Sequence, residues 1–196
     1  ETIGISRHTP AVWLRAPITL VFENGKLDLC AVPDCIALTP ATVEKLTDCE
    51  GRLDKWLILE NRTTFERLAR TLPAYTGALW VPGFAPSWWK QAVSTILHRC
   101  PALVLISCDP DPAGIDIALD VGHICTKRDV AWEPWYMDRV TLSNLPRKKT
   151  LTSEDQIRLA RLRGTQLPGA LQNLVECMQE TGIKGEQEGI KYNMGN

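Results

Sequence analysis

Several things are missing from this sequence, and each absence removes a class of function. No stretch approaches the roughly 20 consecutive apolar residues that cross a bilayer, and mean hydropathy is only -0.11, so no membrane role is expected. The N-terminus, ETIGISRHTP, does not show the basic-then-apolar order of a signal peptide. A cytoplasmic location is therefore expected. A starting methionine is absent too, and the chain reads as a fragment of a longer protein. No G-x-x-x-x-G-K followed by Ser or Thr occurs, nor G-x-G-x-x-G, which argues against an intrinsic P-loop ATPase and a dinucleotide enzyme. There is no excess of one charge: 22 basic and 23 acidic side chains give a net charge of -1 and a pI near 6.4. That excludes a wholesale polycation, though not a local nucleic-acid patch.

Metal ligands other than carboxylates are also poorly arranged. The seven cysteines, Cys30, Cys35, Cys49, Cys100, Cys108, Cys125 and Cys177, include no C-x-x-C pair. Cys30, Cys35 and Cys49 lack the close paired spacing of structural zinc sites, so no metal is placed on sulfur. His8, His98 and His123 are scattered, and no histidine stands where it would activate Cys108 as a nucleophile.

What is present is an ordinary globular composition. The chain has 196 residues, 44% hydrophobic and 23% charged, enough for one domain with appendages or two small ones. Residues 17–32 read as two strands joined at Glu23-Asn24-Gly25-Lys26, and Thr39-Pro40 opens a short helix. This region, 1–53, is expected to be a β-rich accessory piece belonging to a larger upstream domain. From Lys55 the pattern becomes alternating. Apolar runs at 56–59, 78–81 and 102–106, and a more ambiguous one at 131–136, are separated by helical stretches at 63–72, 87–99 and 113–124. Such alternation predicts an α/β fold with a roughly four-stranded parallel sheet covered on both faces, over 54–142. A basic loop and two helices broken near Gly164 and Pro168 complete the chain over 143–196.

Two of these runs end in acid. Leu57-Ile58-Leu59 leads to Glu60-Asn61-Arg62, and Leu103-Val104-Leu105-Ile106 leads through Ser107-Cys108 to Asp109-Pro110-Asp111-Pro112-Ala113-Gly114. In open α/β sheets ligands bind beyond the carboxyl ends of the strands. Two aspartates two apart on an extended segment would point the same way. Clustered carboxylates must share protons or hold a cation, and all-oxygen ligation favours Mg2+ or Mn2+ over zinc. The bland alternative makes these acids solvated loop residues or helix caps; a second acid at the end of another buried strand tips the balance toward function.

The same residues carry a resemblance. Glu60 at one strand end, with Asp109 and Asp111 at a later one, resembles the Toprim domain over roughly 55–140. More narrowly, Glu60-Asn61-Arg62-Thr63-Thr64-Phe65, Asp109-Pro110-Asp111-Pro112-Ala113-Gly114 and Gly185-Glu186-Gln187-Glu188 resemble the C-terminal half of JetD proteins, nuclease subunits of the Wadjet plasmid-defence system. The resemblance implies a metal-dependent DNA endonuclease working with an SMC-type complex, with Glu60, Asp109 and Asp111 holding one or two Mg2+ or Mn2+ ions. It further implies that Asn61 and Arg62 orient the first acid or touch a phosphate, and that a homodimer forms. Gly114 allows close backbone approach. Glu186 and Glu188 are read as supporting or additional metal groups or, on the simpler view, as a helix-end salt bridge. Asp116 either reaches the site or faces the surface.

Charge distribution adds some support for DNA. Residues 139–163 contain seven Lys and Arg against Glu154 and Asp155, whereas 109–138 contain seven acids against Lys127 and Arg128. Arg147-Lys148-Lys149 is the densest basic cluster and the expected phosphate contact, unless it is a solvated loop. Trp88 and Trp89 diverge by about 100° on a helix, so one is expected in the core and the other at a lid or interface. Two rival readings stay open. One is a topoisomerase VI A-like or primase-like Toprim enzyme whose other catalytic residues lie upstream of Glu1; a topoisomerase needs a nucleophilic tyrosine, and Tyr75, Tyr136 and Tyr192, the three in this sequence, stand in no obvious site. The other is a module that binds DNA or a partner without cutting.

Overall fold

A computed structural model describes residues 10–194; His8 lies outside them. The chain begins with β1 (Val12–Arg15), a hairpin of β2 (Thr19–Phe22) and β3 (Gly25–Asp28), and β4 (Ile36–Leu38). Helix α1 (Pro40–Glu44) starts where the Thr39 side chain accepts the Thr42 N–H. Next, β5 (Leu46–Glu50) pairs with β2 in a small antiparallel sheet of order β3-β2-β5.

The alternating part follows as β6 (Lys55–Leu59), α2 (Arg62–Ala69), β7 (Thr76–Trp80), α3 (Ser87–Arg99), β8 (Leu103–Ser107), α4 (Pro112–Thr126) and β9 (Trp132–Pro134). The tail comprises α5 (Arg139–Asn144), β10 (Lys149–Thr150), α6 (Ser153–Leu162), α7 (Gly169–Thr181), β11 (Ile183–Lys184) and a 3-10 turn at Gln187–Gly189. Helix α6 opens with a reciprocal cap between Thr152 and Asp155. Helix α7 stops at Gly182, whose φ of 68° suits a residue without Cβ.

The main sheet has the order β4-β1-β7-β6-β8-β9. Its members β7, β6, β8 and β9 run parallel, as the apolar runs predict. The expected four strands are nevertheless two short of the whole sheet. Strands β1 and β4 add an antiparallel edge beyond β7, making the sheet mixed and six-stranded. Their signal is weak because β1 has four residues and β4 three. Val12-Trp13-Leu14-Arg15 alternates buried and half-buried positions and so resembles any short polar-apolar stretch.

Alternation along β6 builds two layers. Trp56 and Ile58 belong to the large core with α3, α4, α6 and α7, while Leu57 and Leu59 pack with Phe65, Leu68 and Ala69 of α2. Trp56 is fully buried and its indole N–H donates to the Cys100 carbonyl at 3.0 Å. Of the tryptophan pair, Trp89 is fully buried and Trp88 packs on the core edge, as helical geometry requires. Among the described residues, no helix is long and apolar enough to cross a membrane.

Candidate functional site

The chain leaves β6 toward β7 on one side and leaves β8 toward β9 on the other. The gap between the carboxyl ends of β6 and β8 is therefore a topological switch point, where connections diverge and a crevice opens. Leu59 and Ser107 are register partners across it. Glu60 follows the first directly, and Asp109 comes two residues after the second. Glu60, Asn61, Arg62, Trp80, Gly83 and Asp109 line an open cleft of about 260 Å3. A hollow of about 340 Å3 between α5 and the C-terminal segment is more apolar and carries no acid.

The two acids are tied to one another and to the backbone. Glu60 Oε2 accepts the Asp109 backbone N–H at 3.1 Å. Asp109 Oδ1 accepts the Gln187 backbone N–H at 2.7 Å. Burial pushes the Glu60 carboxyl up to about 7 against the lowering effect of the Asp109 N–H, with Asp109 and Asp111 adding repulsion. Asp109 rises to about 6, again chiefly from burial, with Asp111, Glu186 and Glu188 outweighed in part by the Gln187 N–H. Burial also raises Asp111, offset by the Gly114 N–H and by Lys184.

The D-P-D segment is turned where an extended chain was expected. The Asp111 N–H donates to the Asp109 carbonyl at 2.7 Å, closing a three-residue turn on Pro110, whose fixed φ suits it. The two aspartates consequently engage different partners. Asp111 caps α4, its Oδ1 accepting the Gly114 N–H at 2.7 Å. Its Oδ2 faces Lys184 at 3.7 Å, and Lys184 in turn pairs with Asp155 at 2.7 Å. Gly114 is needed here for space: a Cβ would fall 2.1 Å from the Asp109 carbonyl oxygen.

The other candidates divide. Asn61 caps α2, its Oδ1 accepting the Thr64 N–H at 2.8 Å, while its Nδ2 donates to Glu188 at 3.1 Å. Arg62 lies along the cleft wall, paired with Glu66 and stacked on the Trp13 and Trp80 rings. Asp116 is turned to α6, where it pairs with Arg158 and Arg161. Glu186, just before the 3-10 turn, pairs with Lys149 of β10. Arg147 and Lys148 are exposed. Tyr192 is held in an aromatic cluster with Trp135 and Tyr136 and shares a 2.8 Å hydrogen bond with Ser107. All seven cysteines are free, and burial raises the Cys108 thiol far from nucleophilic character.

Gln187 is the site residue that sequence reasoning passed over. It is fully buried. Its Oε1 accepts the Asn61 N–H at 2.6 Å and its Nε2 donates to the Ser107 carbonyl at 2.7 Å. The available signal is its place between Glu186 and Glu188, whose charges dominate the segment.

The raised acids link pH to stability. Glu60 and Asp109 keep protons in the folded protein that the unfolded chain, with ordinary values of 4.5 and 3.8, would lose. In the window from those values up to about 7 the unfolded state binds fewer protons, so stability falls as pH rises. In EDTA, the thermal midpoint is expected to be lower at about pH 7.5 than at about pH 5. A midpoint that climbs over this range would contradict the burial of these carboxylates.

Fold and site together define an α/β protein with a mostly parallel sheet and half-buried carboxylates gathered at its strand switch point. The family model described as Wadjet protein JetD, C-terminal, matches residues 19–195, and the chain belongs to that family. It is thus a component of a Wadjet system, whose other subunits are its expected company. No curated protein matches the chain.

Proposed function

We propose that this chain is the Toprim-type catalytic part of a metal-dependent DNA endonuclease in the Wadjet system, acting with SMC-type subunits on plasmid DNA. The observation that carries the reading is the pair Glu60 and Asp109, half-buried at the switch point and joined by the bond from the Asp109 backbone N–H to Glu60 Oε2. Their fit to a hard divalent ion rests on the donor set. Each carboxylate commits one oxygen to a backbone N–H, leaving Glu60 Oε1 and Asp109 Oδ2 without a hydrogen bond among the described residues, and burial, with repulsion from the neighbouring acids, raises both groups. Among the described residues no three His, Cys, Asp or Glu side chains form a ready metal cage. Mg2+ characteristically uses one or two carboxylates together with waters and substrate phosphates, so a two-acid site is adequate for it.

An ion held there would stabilise charge on a scissile phosphate and lower the pKa of an attacking water. Glu60 and Asp109 are its holders. Asp111, committed to the α4 cap and Lys184, adds negative charge behind Asp109 and keeps an ammonium at the rim. Arg62 presents a cation along the cleft wall, and Arg147 and Lys148 are the DNA-backbone contacts, with Lys149 available once it leaves Glu186. A tyrosine-linked mechanism receives no support from the tyrosines of this chain: Tyr192 is half-buried and hydrogen-bonded to Ser107, Tyr136 packs in the same aromatic cluster with its hydroxyl accepting the Asn193 N–H, and Tyr75 precedes β7 at the opposite end of the sheet.

The test is cutting of circular plasmid by the intact protein with its Wadjet partner subunits and ATP, in Mg2+, Mn2+ or EDTA. Metal-dependent cutting with free DNA ends, lost in Glu60→Gln and Asp109→Asn, is the expected result. Folded protein that binds DNA but never cuts would replace this reading with the non-catalytic module, and protein-linked ends would replace it with the topoisomerase.

A further inference from the structure

We propose that Gln187 is the positioning residue of the acidic site: one buried amide, spanning the ends of β6 and β8, fixes the approach of Glu60 to Asp109 and thereby the affinity for a divalent cation. This rests on the metal-dependent reading above. The C-terminal segment delivers Gln187 from far along the chain. Gly185 N–H docks on the Pro110 carbonyl at 3.0 Å, and the next turn drives the glutamine side chain between the two strand ends.

Its three contacts surround the acids. The side chain accepts from the N–H of Asn61, the residue after Glu60, at 2.6 Å and donates to the carbonyl of Ser107, the last residue of β8, at 2.7 Å. The backbone N–H reaches Asp109 Oδ1 at 2.7 Å. The Ser107 carbonyl also receives the Glu60 N–H at 3.2 Å, so one oxygen joins Gln187, β8 and the first acid.

Only an amide presents a donor and an acceptor side by side without charge. Glutamate would accept from Asn61 but would turn an anion toward the Ser107 carbonyl, near three carboxylates. Methionine would fill the space and leave the Asn61 N–H and the Ser107 carbonyl without this partner, each costly in a buried place. Partners that orient ligating groups in this way commonly govern metal affinity.

The test is Mn2+ binding to the intact protein, followed by the electron paramagnetic resonance signal of the free ion, with circular dichroism and melting curves alongside. Gln187→Met is expected to bind Mn2+ about 10–100-fold more weakly with native dichroism. Its plasmid cutting should be depressed at limiting Mg2+ and partly recovered at high Mg2+, a shift in metal requirement that a merely structural role would not give. If Gln187→Met does not fold, Gln187→Leu carries the same measurement, since it is uncharged, fills much of the space and likewise lacks the amide. Asp109→Asn runs in parallel. Wild-type affinity in a folded Gln187 variant, with binding lost in Asp109→Asn, overturns this inference alone. Absence of Mn2+ binding by the wild type overturns it together with the metal-dependent reading. Loss of fold in both Gln187 variants overturns it in favour of a structural role.

Discussion

Exchanging Asp109 for asparagine is expected to lower metal-dependent plasmid cutting by at least about 10²–10³-fold, the loss typical when a group that stabilises transition-state charge is removed. The same holds for Glu60→Gln. Both replacements keep size and retain an oxygen for the backbone N–H that each acid accepts, Gln187 for Asp109 and Asp109 for Glu60. What disappears is the charge. Because burial already disfavours that charge, the metal-free variants should melt no lower than wild type near neutral pH, and higher if the new amide N–H finds a partner. A catalytic site that holds unfavourable charge for its task commonly shows this exchange of activity for stability. The measurement is a pair, cutting rate and melting midpoint in EDTA. Unchanged cutting in either variant would remove these acids from the mechanism, and a collapse of the fold would make them structural.

The acids were legible in the sequence because two independent regularities meet in them. Buried parallel strands announce themselves as continuous apolar runs, and Leu57-Ile58-Leu59 and Leu103-Val104-Leu105-Ile106 do so plainly. The rule that ligands gather beyond such strand ends then singles out Glu60 and Asp109. Helix limits were readable where chemistry marks them. Ser87–Arg99 agrees at both ends, whereas α2 starts one residue earlier than expected and ends three earlier, its cap being Asn61. Strands β1 and β4 escaped because three or four residues hold too few alternations to establish a period.

The turn at Asp111, where extended chain was expected, has a different origin. Spacing alone places residues two apart on one side only if the chain is extended, and the hydrogen bond from Asp111 N–H to the Asp109 carbonyl folds it. Gln187 was hidden by the limits of local reasoning. Its partners Asn61, Ser107 and Asp109 lie 126, 80 and 78 residues away in the chain. No periodicity connects them; only the return of the C-terminal segment to the sheet does.

Gly114→Ala should be nearly as damaging to activity as loss of an acid, by a purely steric route. The added Cβ would lie 2.1 Å from the Asp109 carbonyl oxygen and 3.0 Å from both its carbonyl carbon and its nitrogen. All three are backbone atoms, so no rotamer change relieves the clash. Either the first turn of α4 or the backbone of Asp109 must move. The Asp109 N–H is the donor to Glu60 Oε2, and the Gly114 N–H is the donor to Asp111 Oδ1, so either movement disturbs contacts to the acids. Overpacking of this kind costs about 1–3 kcal/mol, which in a protein of this size corresponds to a melting midpoint lower by about 5 °C. Cutting should fall about a hundredfold, since a displacement of about 1 Å from productive geometry costs that much. Gly169→Ala supplies the contrast: a Cβ there meets nothing within 4 Å at the start of α7, and its activity and melting should match wild type or its melting rise slightly. A Gly114→Ala protein that melts and cuts like Gly169→Ala would mean that the Asp109 backbone does not pack over α4 in this way.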